Sequence, residues 1–161
     1  MSNMKKLLNT LPQIGKVEWI GLRSVKRKDL DIVEEVEAST ETGLIGDRYS
    51  GKNGKRQVTL IQKEHLTAVG LMLNQEAIDP NLLRRNIVVS GMNLLALKDK
   101  QFQIGDAVLE MTGLCHPCSR MEENLGAGGY NAMRGHGGIT ARVVKSGRIK
   151  KGDSLSFLLS E

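Results

Sequence analysis

Aromatic side chains are nearly missing from this sequence: two Phe, two Tyr and one Trp in 161 residues, 3% of the chain. Without rings there are few stacking platforms for unpaired bases, so a nucleic-acid partner is not expected. Cysteine is almost as scarce, and its two residues make no disulfide framework. No apolar run approaches the roughly 20 residues of a membrane-spanning helix. The start, Met1-Ser2-Asn3-Met4-Lys5-Lys6-Leu7-Leu8, is basic but carries no apolar core of signal-peptide length. These absences point to a cytoplasmic protein with no membrane partner, in a reducing compartment where two cysteines serve as a reactive, ligating or redox pair.

What is present is ordinary for a folded domain: 40% hydrophobic and 25% charged residues. A chain of this length is most economically one domain, large enough to bury about two-thirds of its unfolded surface without staples. The net charge of +5 comes from small scattered groups, Lys26-Arg27-Lys28, Arg84-Arg85 and Lys150-Lys151 among them. Such scattering suits an anionic ligand at least as well as a nucleic acid.

Period-two alternation and β-branched residues dominate, cut at short intervals by Gly-Asp, Ser-Gly and Asn-Gly turns. Strands are predicted at residues 15–22, 32–38, 57–62, 86–90, 107–112, 139–145 and 154–159. Gly105-Asp106 and Gly152-Asp153 each place a turn before an alternating strand. A helix is predicted over residues 63–74, with Leu66, Val69, Leu73 and Met72 on one face. A second starts at Asp79 as N-cap with Pro80 at the first helical position, and single turns are expected near residues 94–97 and 119–125. The prediction is a mainly β protein, one barrel with a few short peripheral helices, and no doubly wound strand-helix alternation.

The chemistry concentrates in Gly113-Leu114-Cys115-His116-Pro117-Cys118-Ser119-Arg120. A cysteine at a helix start beside an arginine is well placed to ionise. Three readings compete. A thioredoxin-type dithiol using Cys115 and Cys118 wants its motif early, opening a long helix, whereas this one lies past residue 110. A closed zinc site needs four ligands, and only His65, His116 and His136 could join the sulfurs. The third reading is one functional thiolate, Cys118, with an anion-binding surround. Arg120 follows it, Arg84-Arg85-Asn86 opens a predicted strand, Arg48 and Arg56 flank a glycine-containing loop, and Arg142 lies in a late strand. Guanidinium forks of this kind take phosphate or carboxylate, against the plain alternative of solvated surface charge. Six glycines between Gly126 and Gly138 suggest a lid or pocket wall, as against a flexible loop. His136, amid them, is the histidine candidate for chemistry; His65 and Asp47 read as packing and turn residues.

In order along the chain, Gly43-Leu44-Ile45-Gly46-Asp47-Arg48, Arg56-Gln57-Val58-Thr59-Leu60-Ile61, Leu83-Arg84-Arg85-Asn86-Ile87-Val88-Val89-Ser90-Gly91, Phe102-Gln103-Ile104-Gly105-Asp106, Pro117-Cys118-Ser119-Arg120-Met121 and Gly147-Arg148-Ile149-Lys150-Lys151-Gly152-Asp153 resemble a MOSC domain, the module named for the C-terminal part of molybdenum cofactor sulfurase. The resemblance spans roughly residues 15–157, with residues 1–14 as an extension and 158–161 as a tail. It implies a β-barrel that binds the molybdenum cofactor (molybdopterin), whose anionic phosphate accounts for Arg48, Arg56, Arg84, Arg85, Asn86, Arg120 and Arg142. Cys118 would be the molybdenum ligand or a persulfide carrier, with Cys115 and His136 beside it as further catalytic candidates. Stand-alone members are similar to molybdenum-dependent oxidoreductases that reduce N-hydroxylated compounds, so an external electron-donor protein, or a sulfur donor, is the expected partner. Pyridoxal phosphate is not expected, because these residues include no desulfurase domain.

Overall fold

The structure, a computed structural model, describes residues 2–25, 29–48 and 54–159. The basic group at 26–28 and most of the loop between Arg48 and Arg56 lie outside the described residues. In chain order the strands are β1 (Gly15–Leu22), β2 (Asp31–Val33), β3 (Glu35–Ser39), β4 (Gly43–Leu44), β5 (Val58–Gln62), β6 (Ile87–Ser90), β7 (Gln101–Ile104), β8 (Ala107–Leu114), β9 (Ile139–Lys145), β10 (Gly147–Lys150) and β11 (Ser154–Leu158). The helices are α1 (Asn3–Leu8), α2 (Lys63–Met72), α3 (Pro80–Leu83), α4 (Ser119–Leu125) and α5 (Gly129–Met133). None of the helices among the described residues is long and apolar enough to cross a membrane.

Seven strands close on themselves in the order β11-β7-β8-β9-β5-β6-β1, the ring completed where Gly15 of β1 pairs with Leu155 of β11. Closure satisfies both edges of the sheet at once. β2 hangs on the outside of β1, and β10-β3-β4 form a second, three-stranded sheet. The run predicted as one strand over residues 32–38 is therefore two. The chain changes sheets at Glu34, whose carbonyl accepts from Lys151 N at 2.8 Å. The two Gly-Asp turns also differ: β7 and β8 form an antiparallel hairpin around Gly105, whereas β10 pairs with β3 and β11 with β7 and β1. They pack on each other, with Gly105 N donating to Ser154 O and Asp106 N to Arg148 O.

Alternation explains the inner core, where Val17, Ile20, Leu60, Ile87, Phe102, Leu109 and Ile139 fill the barrel. β5 is buried at every position, because its outward face is covered by helices. Ile61 and Val88 on that face meet Leu66 and Val69 of α2, Leu83, Met121 and Met133 in a second core. Each such side chain contributes about 1.5–3 kcal/mol on burial. β5 and β6 are parallel, joined through α2 and α3, so one strand-helix-strand crossover sits in an otherwise antiparallel barrel.

A polar bolt runs through this assembly. Asp47 accepts from the backbone N of Arg23 at 2.7 Å and from its Nε and Nη2 at 3.1 and 2.9 Å, and Asn86 Nδ2 donates to the same carboxylate at 3.1 Å. The Asn86 amide also takes Thr59 N and Arg23 Nη2 and gives to Gly21 O, tying β1, β5 and the start of β6 together. All of these groups are buried. Buried charges need this completeness, since removing one partner strands the other. Asp47→Ala should therefore lower unfolding stability by about 3–5 kcal/mol in urea denaturation; a loss near that of an exposed acidic residue would count against the bolt.

Candidate functional site

The two cysteines lie where β8 runs out. A register shift between Met111 and Gly113 bends the strand, and after the last pair, Leu114 with Ile139, Cys115 N still donates to Gly138 O at 2.9 Å. Cys115 is thereby buried, at 4% exposure. Pro117 then leads the chain out, and Cys118 stands exposed as N-cap of α4, its carbonyl accepting from Met121 N. Both are free thiols.

Close to them is Arg85, two residues ahead of β6. Nε donates to Gly137 O and Nη1 to Leu83 O, each at 2.8 Å. Nη2 is buried without a hydrogen-bond partner. Burial draws this guanidinium below its ordinary range; the thiol of Cys115 opposes the shift, Arg23 adds to it, Cys118 opposes it and Arg56 adds to it. Three guanidinium groups and two thiols thus share one electrostatic neighbourhood, and the bolt's Asp47 neutralises only Arg23. The close approach is made possible by glycine. A Cβ on Gly137 would lie 2.0 Å from Cys115 O and 3.4 Å from Arg85 Nη2, and one on Gly138, at φ +87°, would lie 2.0 Å from Leu60 O.

Three surface depressions lie at Arg56 and the two thiols. One is lined by Arg56, Thr112, Leu114 and Thr140; the next by Leu114, Cys115, Pro117, Gly137 and Gly138; the third by Pro117, Cys118, Glu122, Tyr130 and Asn131. Leu114 borders the first two and Pro117 the last two, so the three adjoin between Arg56 and Tyr130.

The remaining predicted residues separate by location. Arg84 adopts a left-handed conformation (φ 57°, ψ 33°), which sends it away from its neighbour Arg85. It lines a cleft with Arg120, Asn81 and Glu123, on the other face of α4 from the Cys118 cleft, and its Nη2 donates to Val25 O. Arg142 pairs with Glu110 at 2.9 Å on β9, and Arg48 is half-buried with its N bonded to Arg23 O. Asn86 belongs to the bolt. His136 meets His65 edge to face, ring centroids 4.9 Å apart, and its Nδ1 lies 3.2 Å from Ala132 O. Burial, then the neighbouring His136, holds His65 below the usual histidine range, with Glu64 working against them. The sequence reading missed Arg23, Glu122 and Tyr130. Arg23 stands alone after β1 with no motif to mark it, whereas the second partner, Gly46-Asp47, was visible as a turn.

The MOSC domain model matches residues 41–156. Covering well over half of the chain, this match places the protein in the MOSC domain family. No curated protein sequence matches it. Among solved structures it is similar to the YuaD protein of Bacillus subtilis, with TM-score 0.79 and 20% identity over 94% of this chain and 100% of that one. It is also similar to YiiM of Geobacillus stearothermophilus (TM-score 0.72, 14% identity, 90% of this chain and 75% of that one) and YiiM of Escherichia coli (0.69, 16%, 91% and 71%). At such identities these neighbours speak for the fold.

The histidine pair sets a pH dependence. Because His65 is held below its ordinary value near 6.5, the unfolded chain takes up the proton first. Its contribution is complete above about pH 6.5 and falls away as the solution is acidified through the unfolded and then the folded value. Melting temperatures measured from about pH 7.5 to 5 should fall more steeply for the wild type than for His65→Phe; parallel curves would refute the assignment.

Proposed function

We propose that the chain binds the molybdenum cofactor, with Cys118 as the protein ligand to the metal, and acts as a small oxidoreductase on N-hydroxylated compounds. The observation that carries this reading is Arg85, a buried cation with an unpartnered Nη2 beside two free thiols in a MOSC chain. A buried donor of that kind asks for an anion, and a soft metal asks for a thiolate. No cluster of three or more His, Cys, Asp or Glu among the described residues could hold a metal ion unaided. A metal at Cys118 would therefore draw its other ligands from an organic cofactor, for which the adjoining depressions from Arg56 to Cys118 are the candidate seat. The donor set fits the group.

In this reading Cys118 supplies the sulfur, while Arg85 and Arg56 hold the cofactor's anionic portion. Gly137 and Gly138 keep backbone, rather than side chain, against it. Arg84 and Arg120, across α4, contribute charge from a distance. The bound cofactor supplies the oxygen-atom chemistry, with electrons from an external donor protein. Exposure of Cys118 leaves its sulfur open to an incoming substrate.

The same exposure favours a second reading, in which Cys118 carries a persulfide to a partner without holding metal. Protein from a cofactor-producing host separates the two. The first reading expects molybdenum and pterin in near-equal amounts, falling at least about tenfold in Cys118→Ala and roughly tenfold in Arg85→Gln. Absence of both from the wild type overturns it. The carrier reading instead expects an added mass of about 32 Da on Cys118, with no metal.

A further inference from the structure

The glycine-rich run after α4 contains a helix, and that helix carries a ring to the thiol. Gly128, at φ +90°, turns the chain, and Gly129 is buried so closely on α4 that a Cβ there would lie 2.6 Å from Leu125 Cβ and 2.8 Å from Met121 O. The start of α5 is pinned by Glu122, whose carboxylate accepts from Gly128 N and Tyr130 N, both at 3.0 Å. Those two N–H groups hold the Glu122 carboxyl below its usual range, so the clasp is intact at neutral pH. The outcome is that Tyr130 and Asn131 line the same cleft as Cys118.

Tyr130 has little structural reason to be there. It is 41% exposed, and its hydroxyl has no hydrogen-bond partner among the described residues. The other described rings of Phe, Tyr and Trp are buried or half-buried: Phe102 inside the barrel, Phe157 against it, Trp19 in the helical core. In a chain this poor in aromatics, the exposed ring stands beside the exposed thiol.

We propose that Tyr130 is a specificity-determining residue, an aromatic wall that selects molecules presenting a flat π-bearing group next to the Cys118 sulfur, with Glu122 as the positioning residue that fixes the wall. The ring offers a face or edge for stacking, and the Asn131 amide beside it offers a donor and an acceptor for a polar group on the same plane. Aliphatic molecules of similar reactivity gain nothing from either. The inference rests on Cys118 marking the place of reaction, as metal ligand or as sulfur carrier, as proposed above.

The experiment uses the full-length protein from a host that makes no molybdenum cofactor. Alkylation of Cys118 by N-phenyliodoacetamide and by iodoacetamide is followed by mass spectrometry at one pH, so that the thiolate fraction cancels in the ratio of rates. The wild type should favour the phenyl reagent roughly fivefold over the ratio for free cysteine. Tyr130→Ala should bring the ratio down to the free-cysteine value, and Tyr130→Phe should keep it. Glu122→Gln, which weakens the clasp and leaves the ring in place, should lower it part of the way. A wild-type ratio equal to that of free cysteine, or one that survives Tyr130→Ala, overturns the wall. No metal enters this measurement, so its failure and the failure of cofactor binding are separate results.

Discussion

A guanidinium withdrawn from water must find acceptors, and Arg85 finds only two carbonyls for three directions of donation. Desolvating a cation costs several kcal/mol when no counter-charge answers it. The arrangement persists because the surrounding elements leave Arg85 nowhere else to go: only Arg84 separates it from the end of α3, β6 begins immediately after Asn86, and the Gly137 carbonyl accepts from its Nε. The stored demand for negative charge is directed at the region where both thiols lie.

The barrel supplies rigidity where the site needs it. Asn86, one residue on from Arg85, is fully buried and locked by the Arg23 and Asp47 pair, so the backbone on which Arg85 rides cannot shift without breaking a charged network. On the opposite side, Cys115 is fastened to the β9 entry by its own N–H. Neutral and charged hydrogen bonds thus fix the two sides of the site independently. What remains adjustable is the segment beyond, where Cys118, Pro117 and the start of α4 face solvent.

Much of this was legible in residue order. The spans of β1, β9 and α4 coincide with the predicted ones, and Asp79 with Pro80 marked the start of α3, because alternation, capping chemistry and proline geometry are local signals. The barrel and its family were legible as well. What could not be read was where neighbouring arginines point. Arg84 and Arg85 look equivalent in sequence, yet a left-handed φ at Arg84 places one in a solvent cleft and the other in the interior. The glycine-rich segment, expected as a lid or pocket wall, lines two of the depressions through Tyr130, Asn131, Gly135, Gly137 and Gly138, whereas Gly129 serves to let α5 sit tightly on α4. Long-range contacts decide both cases, and no local pattern encodes them.

Closure of the ring has a consequence for how the protein comes into being. Gly15 and Leu155, which complete the barrel, stand near opposite ends of the described chain. Pairs so distant in sequence carry a large loop-closure cost and form late. The first strand meets β2 and β6 through shorter loops, so its seam with β11 is the last of its three pairings to be reached.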